Sequence, residues 1–521
     1  MKHLLLILLI LTGNSYAQTH VIKDNSTTDQ TNVLQSFFNS NINTVIVSAN
    51  TLINGTLNIP EGKIIKFEGG KISGKGTING GIIEANYHAN IFDTTLTVNP
   101  KAVNQFFSVK WFGAATNIDA HTAIQKAINT CIKNNIRTVF IPNGRYKISK
   151  PLLIMNPGGF CTLELIGESS FWDSNMGSEL QPTFSNTFAI GIQNGKGCKV
   201  RKLKLTGLFT PPSSSDRKKF FNTSFENFKD NKSRDSRFSP YAGIVIDPFT
   251  NLPTDKMPAD GGYPGLSSYY GSYKSFSSNT GSTGIEIEEM TINNFVVGIC
   301  SSPNGVTRNA EITIINKIQF ENCKLCVSGG QDQEKANTIS NIYCWGGTHT
   351  IFGTDLYGGP RMAGNWIIDR ANIAGAVVRF IYNNQHGYFP TYISNVFAES
   401  LGTWGTINSE IASQISNCHI DFEYPAVAGE QTLITSWGEN IVYRSCNFRY
   451  YGEKTPMKIE GNAVFDHCYF SGPIVKTSSN PTSFFVFDQP ANKNILLICA
   501  IALAAGMFII YAFKKKFWNY S

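Results

Sequence analysis

The pattern of apolar and polar positions is most regular in the second half of the chain, where apolar-x-x-apolar-x-apolar recurs eight times. Successive copies, here called hexads, start 22 to 29 residues apart. The last two apolar positions of a hexad are two residues apart, which is the period of a strand, and such repeats are typical of stacked solenoid folds. The hexads are IEEMTI from Ile287, INKIQF from Ile315, ISNIYC from Ile339, IDRANI from Ile368, ISNVFA from Ile393, ISNCHI from Ile415, YRSCNF from Tyr443 and FDHCYF from Phe465.

Each repeat is too short for a strand-helix-strand crossover and contains no ten-residue helical stretch, so turns must join successive strands. The pattern therefore predicts an all-β fold, a right-handed parallel β-helix in which apolar side chains stack inward about 4.8 Å apart. Four cysteines occupy fourth or sixth hexad positions, and we expect them to be small buried residues rather than metal ligands. They are Cys344, Cys418, Cys446 and Cys468.

The stretch from Val109 to Ile154 predicts a capping helix followed by the first rungs, which extend to residue 206. Asp119 can cap this helix, and one face of the helix is apolar. The apolar face comprises Ile124, Ala127, Ile128, Cys131 and Ile132. Before it, residues 18–108 alternate apolar residues with Gly, Asn and Lys, which predicts an N-terminal β module. The main run of rungs is expected over residues 284–480.

The order WFGA, Asp119, AIQKAI and TVFIPNGRYKIS resembles the N-terminal signature of the pectate-lyase-like right-handed parallel β-helix superfamily. That superfamily includes polysaccharide lyases, polygalacturonase-type hydrolases and phage tailspike depolymerases. Its members usually carry Gly-Asp-Gly and paired acidic residues before the helix, whereas this chain has Ala115 to Asp119 as ATNID. The resemblance implies the fold and a glycan ligand, but not one reaction, because the fold hosts many.

Both ends of the chain carry apolar segments. Residues 1–17 read as a cleavable export signal, with Lys2, an apolar run and Ala17 at the expected cleavage site. Residues 495–513 are uncharged and are followed by three lysines, which predicts a membrane-spanning anchor after a linker at 481–494 and before a basic cytoplasmic tail at 514–521. A buried C-terminal helix and a sorting tail removed by a transpeptidase are the alternatives. We thus expect the β-helix to lie outside the cytoplasm, anchored to a membrane.

The formal charge of +7 comes largely from these ends, since five lysines lie there and leave 39 basic against 37 acidic residues elsewhere. The balance gives no indication of nucleic-acid binding. Eleven cysteines in an exported chain suggest a disulfide framework, yet their odd number and their interior hexad positions argue against one. Cys323 and Cys326 form one C-x-x-C pair, for which a buried position at the end of a rung is favoured over a metal site.

Residues 207–283 form a long predicted insertion that is rich in Ser, Gly, Phe and Tyr. A disordered linker is one interpretation, but the number of aromatic residues argues against a solvated tether. Tyrosine rings stack on sugars while their hydroxyls bond to sugar oxygens. The insertion therefore predicts a carbohydrate platform that includes Tyr269 and Tyr270.

Equal offsets from the hexad start should become spatial neighbours. Glu399 and Asp421 share offset +6 on adjacent rungs, and two close carboxylates can hydrolyse a glycoside or hold Ca²⁺ for a lyase. His349, Arg379 and Trp404 share offsets +10 or +11. The candidate catalytic residues are Glu399, Asp421, His349, Arg379, Asp355 and His386, and the candidate sugar-binding residues are Trp404, Tyr382, Tyr388, Tyr269 and Tyr270. Ordinary turn and loop roles are the competing interpretation for each of them.

These observations leave two function classes. The first is a membrane-anchored enzyme that binds and cleaves a polysaccharide, as a lyase or a glycoside hydrolase, with Ca²⁺ as a cofactor only in the lyase. The second is a non-catalytic glycan binder, either an adhesin or a virion spike. A homotrimer is compatible with both, and neither class involves nucleic acid. No resident metal is predicted.

Overall fold

The computed structural model describes residues 18–157, 159–170, 177–225, 227–228, 241–249, 281–301, 311–329, 336–353, 365–384, 390–409, 411–423, 432–437, 441–450, 457–471 and 474–476. Four predicted segments lie outside these residues and stay predictions, namely the export signal at 1–17, the linker at 481–494, the anchor at 495–513 and the basic tail at 514–521. Within the described part of the chain, no helix has the length and apolar character needed to cross a membrane.

The first part of the chain forms strands and one helix. These elements are β1 Gln18–Ile22, α1 Thr31–Asn39, β2 Ile42–Val47, β3 Thr51–Ile53, β4 Thr56–Phe67, β5 Ile72–Gly74, β6 Thr77–Glu84, β7 Thr97–Asn99 and β8 Ala102–Val103. All of their strand pairings are parallel. The predicted N-terminal β module is therefore itself a short parallel coil, and helix α1 is an element that the sequence pattern did not predict.

The described residues from Phe107 onward form a longer parallel coil. Its first elements are β9 Phe107–Ser108, a 3-10 turn Val109–Phe112, α2 His121–Lys133, β10 Thr138–Ile141, β11 Gly144–Ile148, β12 Leu152–Met155, β13 Glu164–Gly167, β14 Ser178–Pro182, β15 Ile190–Gln193, β16 Lys199–Arg201, β17 Lys204–Thr206, α3 Arg217–Phe221 and β18 Ala242–Ile246. The remaining elements are β19 Glu286–Asn293, β20 Val297–Ser301, β21 Ile314–Glu321, β22 Leu325–Ser328, β23 Asn337–Trp345, β24 Thr348–Gly353, β25 Trp366–Ile373, β26 Val377–Asn384, β27 Thr391–Asn408, β28 Ser413–Ser416, β29 His419–Phe422, β30 Thr432–Trp437, β31 Ile441–Arg444, β32 Asn447–Tyr450, β33 Met457–Gly461, β34 Val464–Asp466, β35 Tyr469–Ser471 and β36 Ile474–Lys476.

The hexads stack in register, as predicted. Ile287 pairs with Ile315, and the pairing of first positions continues without a break to Phe465. The same column extends toward the N-terminus through Val200, Leu165 and Val139 to Phe107. The coil is thus a parallel β-helix, and the prediction of this fold is confirmed by the strand register.

Three parallel sheets make up its wall. Sheet 1 contains the first two hexad positions, sheet 2 contains positions four to seven, and sheet 3 completes each rung. The strands β19, β21, β23 and β25 belong to sheets 1 and 2, and β27 runs through all three sheets. The α2 helix covers the start of the coil with the face predicted, since Ile124, Ala127, Ile128 and Cys131 are buried.

The third hexad position makes the corner between sheets 1 and 2. Nine residues, one on each rung from Lys202 to His467, adopt a left-handed backbone there, with φ between 52° and 58°. They are Lys202, Glu289, Lys317, Asn341, Arg370, Asn395, Asn417, Ser445 and His467. Only glycine enters this region without strain, although asparagine tolerates it better than most residues. The Asn at three hexad corners thus has a backbone explanation.

The helices α1 and α2 are built into their coils by the same contacts. Asp29 Oδ1 accepts from the backbone N–H of Thr31 at 3.0 Å and of Asn54 at 3.1 Å. Asp119 Oδ1 accepts from His121 at 3.1 Å and from Ser149 at 3.0 Å. Each aspartate therefore ties the start of its helix to a later strand segment, and Asp119 stands one residue before the N-cap position, which Ala120 occupies.

A glutamine four residues into the helical segment repeats this correspondence. The Gln35 side chain bonds both the N–H and the C=O of Asn58, at 2.8 and 2.9 Å. Gln125 bonds both backbone groups of Leu153, also at 2.8 and 2.9 Å. The two coils thus begin with the same capping unit, which occurs twice in this chain.

The interior is apolar. Cys344, Cys418, Cys446 and Cys468 are buried among the stacked side chains, as predicted, and Cys323 and Cys326 are buried as well. All described cysteines are free thiols. Buried thiols of this kind act as small apolar residues.

Part of the predicted insertion belongs to the coil. Strand β18 pairs with β15 on one side and β20 on the other, so Ala242–Ile246 completes a rung of sheet 3. This strand lies inside the predicted insertion at 207–283, so one strand of the coil interrupts that stretch. The described residues of 211–228, here called the covering segment, contain α3 and lie against sheet 3.

Candidate functional site

The outer face of sheet 2 carries a line of large aromatic side chains. Fifth and seventh hexad positions point away from the core, because they alternate with the buried fourth and sixth positions. We call the rings at these positions the aromatic row, which comprises Tyr343, Trp345, Phe397, His419 and Tyr469. Trp345 is 45% exposed, Phe397 40% and Tyr469 36%. Large exposed aromatic residues aligned on one face are unusual in a protein without a partner there.

Members of the row also contact each other. The rings of Tyr343 and Trp345 lie parallel with centroids 6.3 Å apart, and those of Phe397 and His419 stack at 5.4 Å. Such contacts restrict the rings and present their faces in a fixed arrangement. The row is therefore a partly organised apolar surface across several rungs.

Charged groups lie beside the row. Asp421 forms a two-pronged ion pair with Arg449, with Nε and Nη2 at 2.6 and 2.7 Å from its two oxygens. His419 Nε2 lies 3.4 Å from Asp421 Oδ1. Burial alone would raise the pKa of Asp421, but the hydrogen bonds from His419 and Arg449 outweigh it and hold the pKa below its ordinary value. Asp421 is thus ionised at neutral pH.

Glu399 lies on the strand next to Asp421, as the shared offset predicted. The register is irregular at this point, because Ala398 pairs with Ile420 and Leu401 with Phe422, so two residues, Glu399 and Ser400, stand opposite Asp421. Glu399 is exposed and its charge acts on Tyr343, whose pKa is raised by burial and then by this charge. Within the described residues, no hydrogen bond or ion pair joins Glu399 to Asp421. Their catalytic role stays a prediction.

His349 and Arg379 meet on sheet 3, under the covering segment. Arg379 pairs in register with Thr350, the residue after His349. Burial of the ring, together with the charges of Arg379 and Lys324, holds the pKa of His349 well below its ordinary value. The ring centroids of Phe225 and Phe228 lie 5.1 and 5.2 Å from that of the imidazole, and both rings are nearly perpendicular to it. His349 is 3% exposed, so solvent and a polymeric substrate do not reach it in this arrangement.

The covering segment is fixed by an ion pair. Arg217 binds Glu423 with both Nε, at 2.5 Å, and Nη2, and it also bonds to Ser400. Ser400 Oγ donates to Glu423 at 2.7 Å. The pKa of Glu423 is held low chiefly by the Arg217 hydrogen bond. The segment is therefore latched onto the rungs that carry Glu399 and Asp421.

Trp404 is wrong as a sugar-binding residue. Its ring is fully buried, stacks on Phe380 at 4.6 Å and meets Tyr443 edge-on. The offset used to place Trp404 beside Arg379 is out by one residue, since Arg379 pairs with Thr403. Tyr382 is half-buried, with the Arg379 guanidinium 4.4 Å from its ring centroid.

Five predicted site residues lie outside the described part of the chain, namely Asp355, His386, Tyr388, Tyr269 and Tyr270. Their roles stay predictions. No group of three His, Cys, Asp or Glu side chains within the described ranges has the arrangement of a metal site. A Ca²⁺ ion between Glu399 and Asp421 would compete with Arg449 for both oxygens of Asp421.

The first residue of the aromatic row borders a cavity of about 570 Å³. Tyr343 belongs to both, and the cavity continues to the N-terminal side over the outer face of sheet 2. There it is bounded by the loop residues Glu168–Ser170 and by the corner residues Lys202, Glu289 and Lys317. The row and the cavity form one continuous surface.

The residues of the row were missed from sequence, although a signal was present. The fifth hexad position points outward, and three of the eight copies place Tyr or Phe there, in ISNIYC, ISNVFA and FDHCYF. An aromatic residue at an outward strand position differs from the usual polar choice. Offsets beyond the hexad gave less, because the rungs vary in length.

No protein-family model matches the sequence, and no curated protein matches it. Among solved structures, the chain is similar to the enzymatically active domain of a tailspike protein from bacteriophage CBA120, with 12% identity and a TM-score of 0.34 over 71% of this chain and 43% of that one. It is also similar to the Agl-KA catalytic domain, with 14% identity and a TM-score of 0.39 over 74% and 69%. It is similar as well to a GH87 α-1,3-glucanase catalytic domain in complex with nigerose, with 12% identity and a TM-score of 0.38 over 75% of this chain and 69% of that one.

The chain spans less than half of the tailspike domain it matches. The fold assignment rests on the strand register of this chain.

Proposed function

We propose that the protein binds an extended glycan along the outer face of sheet 2. The observation that carries the proposal is the aromatic row, whose rings offer apolar faces to the C–H surfaces of sugars. A chain laid across the rungs would meet Trp345 and Phe397 in turn, and Tyr469 further along.

The polar groups of the face favour a glycan over a protein partner. Glu399, Asp421 and Arg449 stand among the rings together with Asn372 and Asn447, so hydrogen-bonding groups occur along the row. The core of a protein–protein interface is instead depleted of charge. Sugars need this mixture, because each ring has apolar faces and a rim of hydroxyls.

A binding assay with matched variants tests the proposal. We expect Trp345→Ala and Phe397→Ala each to weaken binding of the full chain to its best ligand on a glycan array by about tenfold, since a buried ring contact contributes on the order of 1 kcal/mol or more. Tyr392→Ala is the control, because Tyr392 is 43% exposed on the same rung as Phe397 but belongs to sheet 1.

Two results would contradict glycan binding. The first is the absence of any bound glycan, and the second is an equal loss in Tyr392→Ala. If Trp345→Ala instead dissociates an oligomer in light scattering, the row is an interface between copies of this chain and the proposal fails.

Cleavage of the glycan is a second candidate, favoured by the position of Asp421 and Glu399 beside the row. An ionised Asp421 suits a base or a nucleophile, which leaves Glu399 as the proton donor in a hydrolase. We expect Asp421→Asn and Glu399→Gln to abolish release of new reducing ends, whereas Asp369→Asn, which removes an ion-paired carboxylate from sheet 1, should leave it intact. Release of unsaturated uronates would identify a lyase. If neither product is released, cleavage is refuted and only the binding proposal remains.

A further inference from the structure

The outer face of sheet 2 is blocked at the N-terminal end of the aromatic row, next to the cavity. Thr291, which is in the same column as Tyr343, is buried there under the loop residues Glu168–Ser170, and its hydroxyl donates to the carbonyl of Ser170 at 2.8 Å. A polymer following the row toward this end therefore meets a wall at residues 168–170. A surface that is blocked on one side accommodates the end of a chain better than its middle.

The charged residues around the cavity differ in whether they have a partner. Glu289 is paired with Lys317 at 3.2 Å, and Glu168 accepts from the backbone N–H of Asn143 at 2.9 Å. Lys202 lines the cavity at its corner, and no carboxylate among the described residues pairs with it. Among the described residues that line the cavity, Lys202 is thus the lysine without a carboxylate partner, whereas Lys317 is paired with Glu289.

A second group in the cavity lacks a partner. The side-chain nitrogen of Gln319 is buried and makes no hydrogen bond within the described structure, although the residue lines the cavity. Leaving a buried donor unpaired is unfavourable, because the donor has lost its hydrogen bonds to water. A ligand oxygen in the cavity would remove that cost. Lys202 and Gln319 together therefore offer one positive charge and one neutral donor.

We propose that this cavity is a terminal subsite that holds a sugar bearing an anionic group, a carboxylate or a sulfate, at the end of the bound glycan. The inference rests on the proposed glycan-binding function of the row and adds to it the recognition of a chain end. Lys202 binds the anionic group, Gln319 donates to a ligand oxygen, and Tyr343 packs on the adjoining sugar.

The test compares oligosaccharides that differ only in the terminal sugar. The full-length protein is titrated with matched probes ending in a neutral hexose, a hexuronate or a sulfated hexose, each presented from either end of the chain. We expect an anionic terminus to bind roughly tenfold tighter or more, since a hydrogen bond to a charged group contributes about 1.5–3 kcal/mol. Equal affinities for all three probes would overturn the proposal.

Two lysine and arginine variants provide a matched pair. Lys202→Asn removes the charge and suits the left-handed corner, where φ is 55°. Arg370→Asn makes the same charge change at the equivalent corner of a rung beyond Tyr343, where φ is 58°. We expect only Lys202→Asn to lose the preference for anionic ends while it keeps its affinity for the neutral probe. Equal behaviour of the two variants would refute the role of Lys202.

Gln319→Met separates recognition from packing. A structural role for Gln319 would lower the unfolding midpoint of the variant, whereas the present inference predicts an unchanged or higher midpoint, because an unpaired buried donor is removed. Binding of every probe that reaches the cavity should weaken. Unchanged binding with a lower midpoint would assign Gln319 to the fold.

A small probe that does not contact the aromatic row separates this proposal from the proposal that a glycan binds along the row. Free D-glucuronate and inorganic sulfate should raise the thermal midpoint of the wild type and of Arg370→Asn but not of Lys202→Asn. If this shift occurs while no oligosaccharide binds, the anionic subsite stands and glycan binding along the row fails. If oligosaccharides bind through the row without a shift or a preference, only the subsite fails.

Discussion

The left-handed corner of each rung makes a sharp prediction for Asn395. Its φ is 56°, and its Nδ2 donates to Asp369 Oδ1 at 2.7 Å. The preceding residue, Ser394, donates to the same oxygen at the same distance. Asn395→Val and Ser394→Val therefore each delete one equivalent hydrogen bond, but only the first places a β-branched side chain in the left-handed region.

The difference between the two variants isolates the backbone cost. A left-handed conformation costs an ordinary residue about 1–2 kcal/mol, and valine suits an extended strand position such as 394. We expect the loss of unfolding free energy in Asn395→Val to exceed that in Ser394→Val by about 1–2 kcal/mol. Asn395→Gly should show no such excess, because glycine adopts the conformation freely.

Urea denaturation followed by circular dichroism measures the difference, provided that the slopes of the three transitions agree. A gap below about 0.5 kcal/mol between the two valine variants would refute the reasoning, since surface changes without a special cause vary by that amount. The corner would then be a consequence of neighbouring contacts rather than a requirement on the residue.

Three other predictions concern charged and thiol groups. Because the pKa of Asp421 is lowered in the folded state, its ion pair stabilises the fold at pH values above the ordinary carboxyl pKa, and this stabilisation is lost as the pH falls through the folded-state pKa. Urea titrations should therefore show Arg449→Met to be less stable than wild type at pH 7, with the difference in unfolding free energy closing on acidification. A difference that persists in acid would contradict this reasoning. Arg217→Met removes the latch to Glu423, so limited proteolysis should cut the covering segment faster, whereas Arg370→Met should leave the rate unchanged; equal rates would show that the buried phenylalanines hold the segment alone. The described cysteines are all buried, so a thiol reagent should label them only after unfolding, and rapid labelling of any one would place it at the surface.

The sequence determined the frame of the β-helix well, because burial repeats there at a fixed period. The first positions of all hexads fall in one column. The cysteines at fourth positions are buried inside the coil, as the alternation of strand side chains requires. Helix α2 was predicted for the same reason, since its apolar stripe covers the start of the coil. Helix α1 was missed because its segment, TNVLQSFFN, was read as part of a β module.

The site was harder to predict, since it depends on residues beyond the hexad, where the rungs differ in length. Glu399 and Asp421 are adjacent because they lie only one residue past the last hexad position. Trp404 lies further along its rung. The turn before Leu401 has one residue fewer than the turn before Val377 on the preceding rung, so Trp404 faces the core and not the surface. A strand residue displaced by one position always changes face.

The position of the covering segment was also beyond the sequence. It folds back so that Arg217 contacts Ser400 and Glu423, which lie 183 and 206 positions further along the chain. No periodicity links the two stretches, so neither spacing nor composition could indicate that Phe225 and Phe228 cover His349.

The corner column has a consequence for how such a protein changes over time. Because each corner constrains one residue per rung and the inward positions constrain the apolar ones, the outward fifth and seventh positions remain exchangeable without affecting the coil. A duplication or loss of one whole rung would preserve every constraint and would move the outward side chains on either side of it apart or together by one strand spacing. The length of the aromatic row can therefore change only in whole steps, whereas the side chains that it presents can change one at a time.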